Sequence, residues 1–234
     1  MGLVADLWRF PVKSFGGEQL RRAFLGPFGL LGDRRHAVVD ESGALSARRA
    51  GALLGYRARY EDVEAAERAV VRTPAGDERA WDDPLLAEEV GGTVGRPVAL
   101  AASHMGIHDA APVHLVTTAS LAAAAEWLGG EIDRRRFRAN VIVELEEPEP
   151  FAEAGWLGET LALGDDGPLI RVVSPTERCV VTTYDPDTLE RDKRVLQALA
   201  RERENLFGVY AAVVRPGWLK VGATVRLAGS GVLT

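Results

Sequence analysis

Sulfur is scarce in this chain, with one cysteine and two methionines in 234 residues. A lone cysteine cannot close an intramolecular disulfide or supply the thiolates of a Cys-rich zinc or iron–sulfur centre, so any iron–sulfur electron donor has to be a separate protein. Positive charge is also short, with 28 Lys and Arg against 34 Asp and Glu and a formal net charge of −6. That balance argues against nucleic-acid or membrane-surface binding, both of which draw on a basic field, and favours a small-molecule ligand. No apolar run approaches the roughly 18 residues of a membrane span, and "MGLVADLWRFPVKSFGG" lacks the basic start and apolar core of a secretory signal. A cytoplasmic protein is expected. The chain is long enough to bury a core without staples, as one large domain or two small ones.

What is present reads mainly as β. "LVADLWRF", "QLRRAFL", "RHAVVD" and "ALSARR" (the last two joined by "ESG"), then "YRARYED" and "ERAVVRT", are short strands separated by turn residues. Asp83 and Pro84 form the N-cap and first position of a short helix that Gly91 and Gly92 should close. The second half mixes "NVIVEL", "TLALG", "LIRVVS", "CVVTTY", "VYAAVV" and "ATVRLAG" as strands with two helices. The first is "SLAAAAEWL", with Thr117 or Thr118 as N-cap and Gly129-Gly130 as its stop; the second is "RVLQALARERE", with a stripe of Val195, Leu196 and Leu199. No βαβ alternation is visible. The expected architecture is a mainly β fold, a β-barrel with peripheral helices.

Six stretches could carry chemistry. Cys179 follows Arg178, and an adjacent cation would favour the thiolate, a soft metal ligand and a nucleophile. The alternative is a small buried hydrophobe. In a regular strand Arg178 and Cys179 point to opposite faces, so they converge only if a bend or bulge intervenes, which Pro175 permits. "DRRRFRAN" gathers four arginines between Arg134 and Arg138, a grip suited to phosphate or a run of solvated surface charge, and Asn140 would share the face of Arg138. In "HLVTTASL", Thr117, Thr118 and Ser120 stand at a strand-to-helix junction that can receive an anion or simply cap a helix, and His114 is a ligand donor or a core histidine. In "FPVKSFGG", Lys13 and Ser14 sit on a sharp turn with free backbone donors, and "GLLGDRR" delivers Asp33 and Arg34 to a strand start. "HMGIHD" sets His104 and His108 four apart beside Asp109, a zinc-like spacing that Gly106 spoils.

Six segments in order, "FPVKSFGG", "GLLGDRRHAVVDESG", "HDAAPVHLVTTASL", "RRRFRANVIVE", "PTERCVVTTYDPDT" and "LFGVYAAVVRPGWLKVG", resemble the MOSC family (molybdenum cofactor sulfurase C-terminal domain) preceded by its N-terminal β-barrel domain. The resemblance is nearest to the amidoxime-reducing proteins and their bacterial counterparts. It implies a smaller β-rich domain over residues 1–100 and a MOSC barrel over 101–234. It also implies that Cys179 ligates the metal of a molybdenum cofactor (Mo-molybdopterin), and that Lys13, Ser14, Arg34, Arg138, Asn140 and Arg178 hold the cofactor beside the hydroxyl-rich Thr117, Thr118 and Ser120. Ala139 departs from the family's "FRPN", which puts the aim of Arg138 and Asn140 in question.

The function so implied is a molybdenum-dependent reductase of N-hydroxylated compounds (amidoximes, hydroxylamines, N-hydroxy bases). Asp185 is the expected proton carrier, unless it only forms the turn with Pro186. Electrons would come from a separate ferredoxin, flavodoxin or reductase. Two alternatives use the same residues differently: a persulfide or molybdenum cofactor carrier, and a binding module in which Cys179 is merely buried.

Overall fold

Burial alternates along Gly2–Arg9, with Val4 and Leu7 inside, and shifts by one residue at a bulge between Val4 and Asp6. In the computed structural model, which describes residues 1–228, this first strand closes a seven-stranded barrel. It pairs antiparallel with Val141–Leu145 on one side and Thr224–Leu227 on the other. Between those two strands the order runs Val113–Thr117, Leu206–Arg215, Leu169–Glu177 and Thr160–Leu163, and Glu18–Leu20 is appended to Gly2–Arg9. Val4, Leu7, Leu115, Val143, Leu161, Ile170, Val209 and Val225 fill the barrel. Side chains of this kind each contribute about 1.5–3 kcal/mol when fully buried. The mainly β expectation holds, and one detail is added: Val113–Thr117 and Val141–Leu145 run parallel through a single helical crossover.

Residues after the first strand form small sheets, Ala99–Ala102 with His36–Asp40 and Gly43–Ala44, and Arg57–Asp62 with Glu67–Arg72 and Glu78–Ala80. Their own core contains Val12, Phe15, Val38, Leu53, Tyr56, Val71, Leu86 and Val90. Strand pairing runs across residue 100, because Gly2–Arg9 belongs to the barrel and Arg22–Gly26 pairs with Gly217–Lys220.

Helix α1 (Pro84–Val94) is capped by Asp83, as expected, but runs through Gly91 and Gly92. It stops at Gly95, whose φ of 70° supplies the left-handed residue that a helix end needs. Helix α2 (Thr118–Leu128) takes Thr117 as its cap and Gly129 as its stop. With α3 (Lys193–Arg203) it covers the barrel through Val116, Leu121, Phe137, Ile142, Val195, Leu199 and Phe207. "ALSARR" is not a strand beyond Ala44, and "CVVTTY" is a 3-10 turn, Val180–Thr183. The hydroxyls of Thr182 and Thr183 donate to the carbonyls three residues back, which satisfies the backbone locally instead of in a sheet. The last expected strand is present as Thr224–Leu227, and Gly229 of "ATVRLAG" lies outside the described residues. Among the described residues no helix is long and apolar enough to cross a membrane.

His36 packs against Trp81 and Tyr60 at ring distances of 4.9 and 6.2 Å. Burial, then the charge of Arg35, pushes its pKa down to about 4. The fold therefore favours neutral His36, while the unfolded chain takes up a proton below about pH 6.5. The stability it supports is present in full above about pH 6.5 and is lost as pH falls towards 4. Urea midpoints should show wild type losing about 2 kcal/mol more over that range than His36→Phe, a figure discounted for the ring's partial exposure.

Candidate functional site

The ladder between Leu169–Glu177 and Leu206–Arg215 shifts register between Pro175 and Glu177, and the strand ends there. This irregularity breaks the strict alternation of faces. Arg178 and Cys179 both line one basin of about 660 Å³, counting its open mouth. The half-buried Cys179 opens the turn Val180–Thr183. The opposite wall comes from the N-terminal region, where Lys13, Ser14, Arg34, Ser46, Ala47 and Arg48 line the same space.

Charge in the basin is unbalanced. Lys13, Arg34, Arg48, Arg138 and Arg178 face Asp109 and Glu177. Lys13 donates to Asp109 at 2.5 Å and to the Ile107 carbonyl at 3.2 Å. Arg34 pairs with the buried Asp33, and donates to Asn140 Oδ1 and the Arg138 carbonyl, both at 3.2 Å. Arg138 and Arg178 have carbonyls for partners, those of Phe15 and Phe137, each at 2.7 Å. Burial is the chief reason that their pKa values are pushed down to about 9 and about 10, and the charge of Arg34 adds to the effect on Arg138. Both stay cationic at neutral pH. Phe10 lies beneath Arg34 and Arg138, with 4.9 and 4.3 Å from guanidinium carbon to ring centroid, which offsets part of the desolvation. The Nε of Arg178 is buried without a partner.

The backbone is bent to aim these groups. Ser14, Arg34 and Arg138 have φ of 70°, 47° and 53°, a conformation costing on the order of 1 kcal/mol for each non-glycine residue. The Ser14 hydroxyl accepts from Ala47 N at 2.9 Å and so fixes the loop that carries Arg48. Arg48 lines the basin with Cys179, and proximity to that side chain is the first cause that raises the Arg48 pKa. Asn140 does not line the basin. It positions: Oδ1 accepts from Arg34 and from His114 N, while Nδ2 donates to the Trp8 carbonyl. His114 is buried, and burial with the charge of Arg178 keeps its ring neutral.

Residues 102–226 match the model of the MOSC domain, and residues 1–86 match the MOSC N-terminal beta barrel domain. The chain belongs to the MOSC family. Among curated relatives, mitochondrial amidoxime-reducing component 1 of Homo sapiens is 32% identical over 134 residues, 52% of this chain and 38% of that protein. Mitochondrial amidoxime reducing component 2 of Bos taurus is 26% identical over an alignment of 96% of this chain and 83% of that protein. The chain thus spans less than two fifths of the human relative's length in the first alignment. The YuaD protein from Bacillus subtilis, at 15% identity and a TM-score of 0.53 over 96% of this chain and 93% of that one, shares the fold.

Of the residues singled out in the sequence of this MOSC protein, Lys13, Ser14, Arg34, Arg138, Arg178 and Cys179 meet at the basin. Thr117, Thr118 and Ser120 do not line it. The hydroxyls of Thr117 and Ser120 donate to the buried carboxylate of Glu153 at 3.0 and 2.8 Å, so this chain's own side chain occupies that helix end. Asp185 lines the adjoining cavity instead. Its carboxylate accepts from Thr188 N, Asp187 N and Arg136, and these bonds anchor the turn and hold its pKa below the usual range. Arg134, Arg135 and Arg136 are ion-paired with Asp6, Asp133 and Asp187, and Asp185, leaving Arg138 alone of its cluster in the basin. His104, His108 and Asp109 bond to Arg35, the Phe28 carbonyl and Lys13, and they are not brought together as a metal-holding group. Ala139 is buried, and Arg138 N→Arg135 O closes the turn before it at 3.1 Å. Arg48, Ser46, Glu177 and Tyr210 were not legible as site residues; the reading of "ALSARR" as a strand hid the first two.

Two outcomes test this geometry. At Gly208, with φ of 79°, a β-carbon would come within 2.6 Å of His114 Nε2 and 2.7 Å of the Leu115 carbonyl. Gly208→Ala should lower the urea-derived stability by roughly 2–4 kcal/mol. The surplus of cations should also bind an anion. With a Kd of about 1 mM, 10 mM inorganic phosphate should raise Tm by roughly 3–6 °C, and Arg178→Gln should abolish the shift in a thermal scan.

Proposed function

We propose that this MOSC protein is a molybdenum-cofactor-dependent reductase of N-hydroxylated compounds, with Cys179 as the ligand that the protein gives to the metal. The observation carrying this reading is the convergence on one thiol of five cationic side chains, from both parts of the chain, with too few carboxylates to neutralise them. The donor set fits the cofactor. A thiolate suits a soft or high-valent metal, and a dianionic phosphate with an anionic dithiolene would supply the counter-charge that Arg138 and Arg178 lack. The unpartnered Nε of Arg178 is a donor in reserve for such a ligand.

When bound, the cofactor would supply the two-electron redox chemistry that takes oxygen from an N–OH group, with electrons from a separate donor protein. The chain's residues do the rest. Arg48 adds a further cation to the wall of the basin that holds Cys179. Arg138 and Arg178, held by main-chain carbonyls and not by carboxylates, keep their charge available to an anion. Asn140 and Asp33 orient Arg34, and Lys13 with Asp109 forms an edge of the basin. Amidoximes, hydroxylamines and N-hydroxy bases are the substrates proposed, as the names of the amidoxime-reducing relatives suggest.

The test is molybdenum content and fluorescent pterin release from protein made in a cofactor-replete host. Wild type should hold close to one metal per chain and Cys179→Ser less than about a tenth of that. Loaded wild type should then reduce an N-hydroxy substrate with a chemical or protein donor. Pterin without turnover would move the reading to a cofactor carrier, a persulfide on Cys179 without pterin to a sulfur carrier, and neither to a plain binding module.

A further inference from the structure

Away from the Cys179 basin, a cavity of about 590 Å³, mouth included, opens beside the paired strands Arg22–Gly26 and Gly29–Leu30. Phe24, Pro27, Phe28 and Leu31 give it apolar walls, and Arg35 and His104 line it as well. No residue of its lining is shared with the basin. The buried Asp33 lines this cavity and pairs with Arg34, which lines the basin, so that ion pair separates the two spaces.

The apolar wall is exposed and yet held in place. Phe28 is 51% and Leu31 38% accessible. The Phe28 carbonyl accepts from His108 Nε2 at 3.1 Å, and Leu31 N donates to the Phe24 carbonyl at 2.8 Å. Between them Gly29, with φ of 97°, packs so closely that a β-carbon would come within 2.6 Å of the Pro112 carbonyl. A turn fixed in this way keeps two apolar side chains in water, and the apolar body of a ligand would cover them.

Charge decides what else the occupant carries. Asp33, the one carboxylate lining the cavity, is already taken, since it accepts from Phe10 N at 2.7 Å and pairs with Arg34. Among the described residues no ion pair contains Arg35, whose guanidinium donates to His104 Nδ1 at 3.2 Å. An arginine only donates, so Nδ1 is the acceptor and the hydrogen of the neutral His104 ring is on Nε2. The cavity therefore offers a cation without a counter-charge and a second N–H donor, which together suit the two oxygens of a carboxylate. An inorganic anion would leave the apolar wall in water, and a hydrocarbon would leave Arg35 uncompensated.

We propose that this cavity is a separate binding site for a small monocarboxylate with an apolar body, its carboxylate on Arg35 and its body against Phe24, Phe28 and Leu31. The site owes nothing to the chemistry assigned to Cys179, because the two spaces have no lining residue in common.

Calorimetric titration of the full chain with phenylacetate and octanoate, in enough inorganic phosphate to fill the basin, tests it. At least one acid should bind saturably, one per chain, with a Kd below about 1 mM, and the matching amide, phenylacetamide or octanamide, about tenfold more weakly. Arg35→Gln should weaken the acid about tenfold and leave the amide unchanged, Arg35→Lys should recover part of the loss, and Phe28→Ser should weaken both. A cooperative melt of each variant shows that it is folded. Absence of saturable binding, an amide that binds as tightly as its acid, or acid affinity unchanged in Arg35→Gln overturns the proposal. An affinity that falls steadily as phosphate is raised, or that Arg178→Gln removes, overturns it too, because the acid then sits in the basin. Molybdenum and pterin contents are read separately, so either proposal can fail without the other.

Discussion

The guanidinium groups of Arg34, Arg138 and Arg178 are packed where the N-terminal sheets rest on the barrel, and the one buried carboxylate bonded to any of them is that of Asp33. Burying a charge without a counter-charge is expensive, and the pKa values of Arg138 and Arg178, depressed by burial, register that cost. Much of the surrounding structure offsets it with weaker partners. The carbonyls of Phe15, Phe137 and Arg138 accept from the guanidinium groups, Phe10 gives its ring face to two of them, and Asn140 spans the gap between Arg34 and His114 N. Left-handed backbone at Ser14, Arg34 and Arg138 belongs to the same arrangement. The barrel and N-terminal cores hold these strained residues in place.

A surplus of this kind is costly for a structural interface and useful for an anion site. The fold uses both of its parts to build it: Lys13, Arg34 and Arg48 come from one side, Arg138 and Arg178 from the other. Arg138 also stands between two spaces of different character, one charged and holding the thiol, the other aromatic with its charges paired.

Some of this was legible in short stretches. The lone Cys179 beside Arg178, the turn carrying Lys13 and Ser14, and the arginine-rich approach to Asn140 each bear a local signature, since the chemistry rests on residue types close together in the chain. Other residues bear none. Arg48 reads as surface charge until the Ser14 hydroxyl is seen to fix its loop against the basin. Thr117 and Ser120 read as an anion site until Glu153, more than 30 residues later, is found filling it. The threonines of "CVVTTY" suggest a strand by their β-branching, yet their hydroxyls bond three residues back and make a turn.

Composition and local pattern determined that the chain has a mainly β fold with a few capped helices, that it can form no disulfide or thiolate cluster of its own, and that it offers a single thiol. These properties depend on residue type, period and turn preference, which act over a few residues. Only the tertiary structure decided which cations line the basin of that thiol, since Arg134, Arg135 and Arg136 are taken by Asp6, Asp133, Asp187 and Asp185 while Arg138 bonds to a carbonyl and to no carboxylate. Charge pairing depends on distance in space, and the closing of the barrel by its first strand brings together groups more than 100 residues apart.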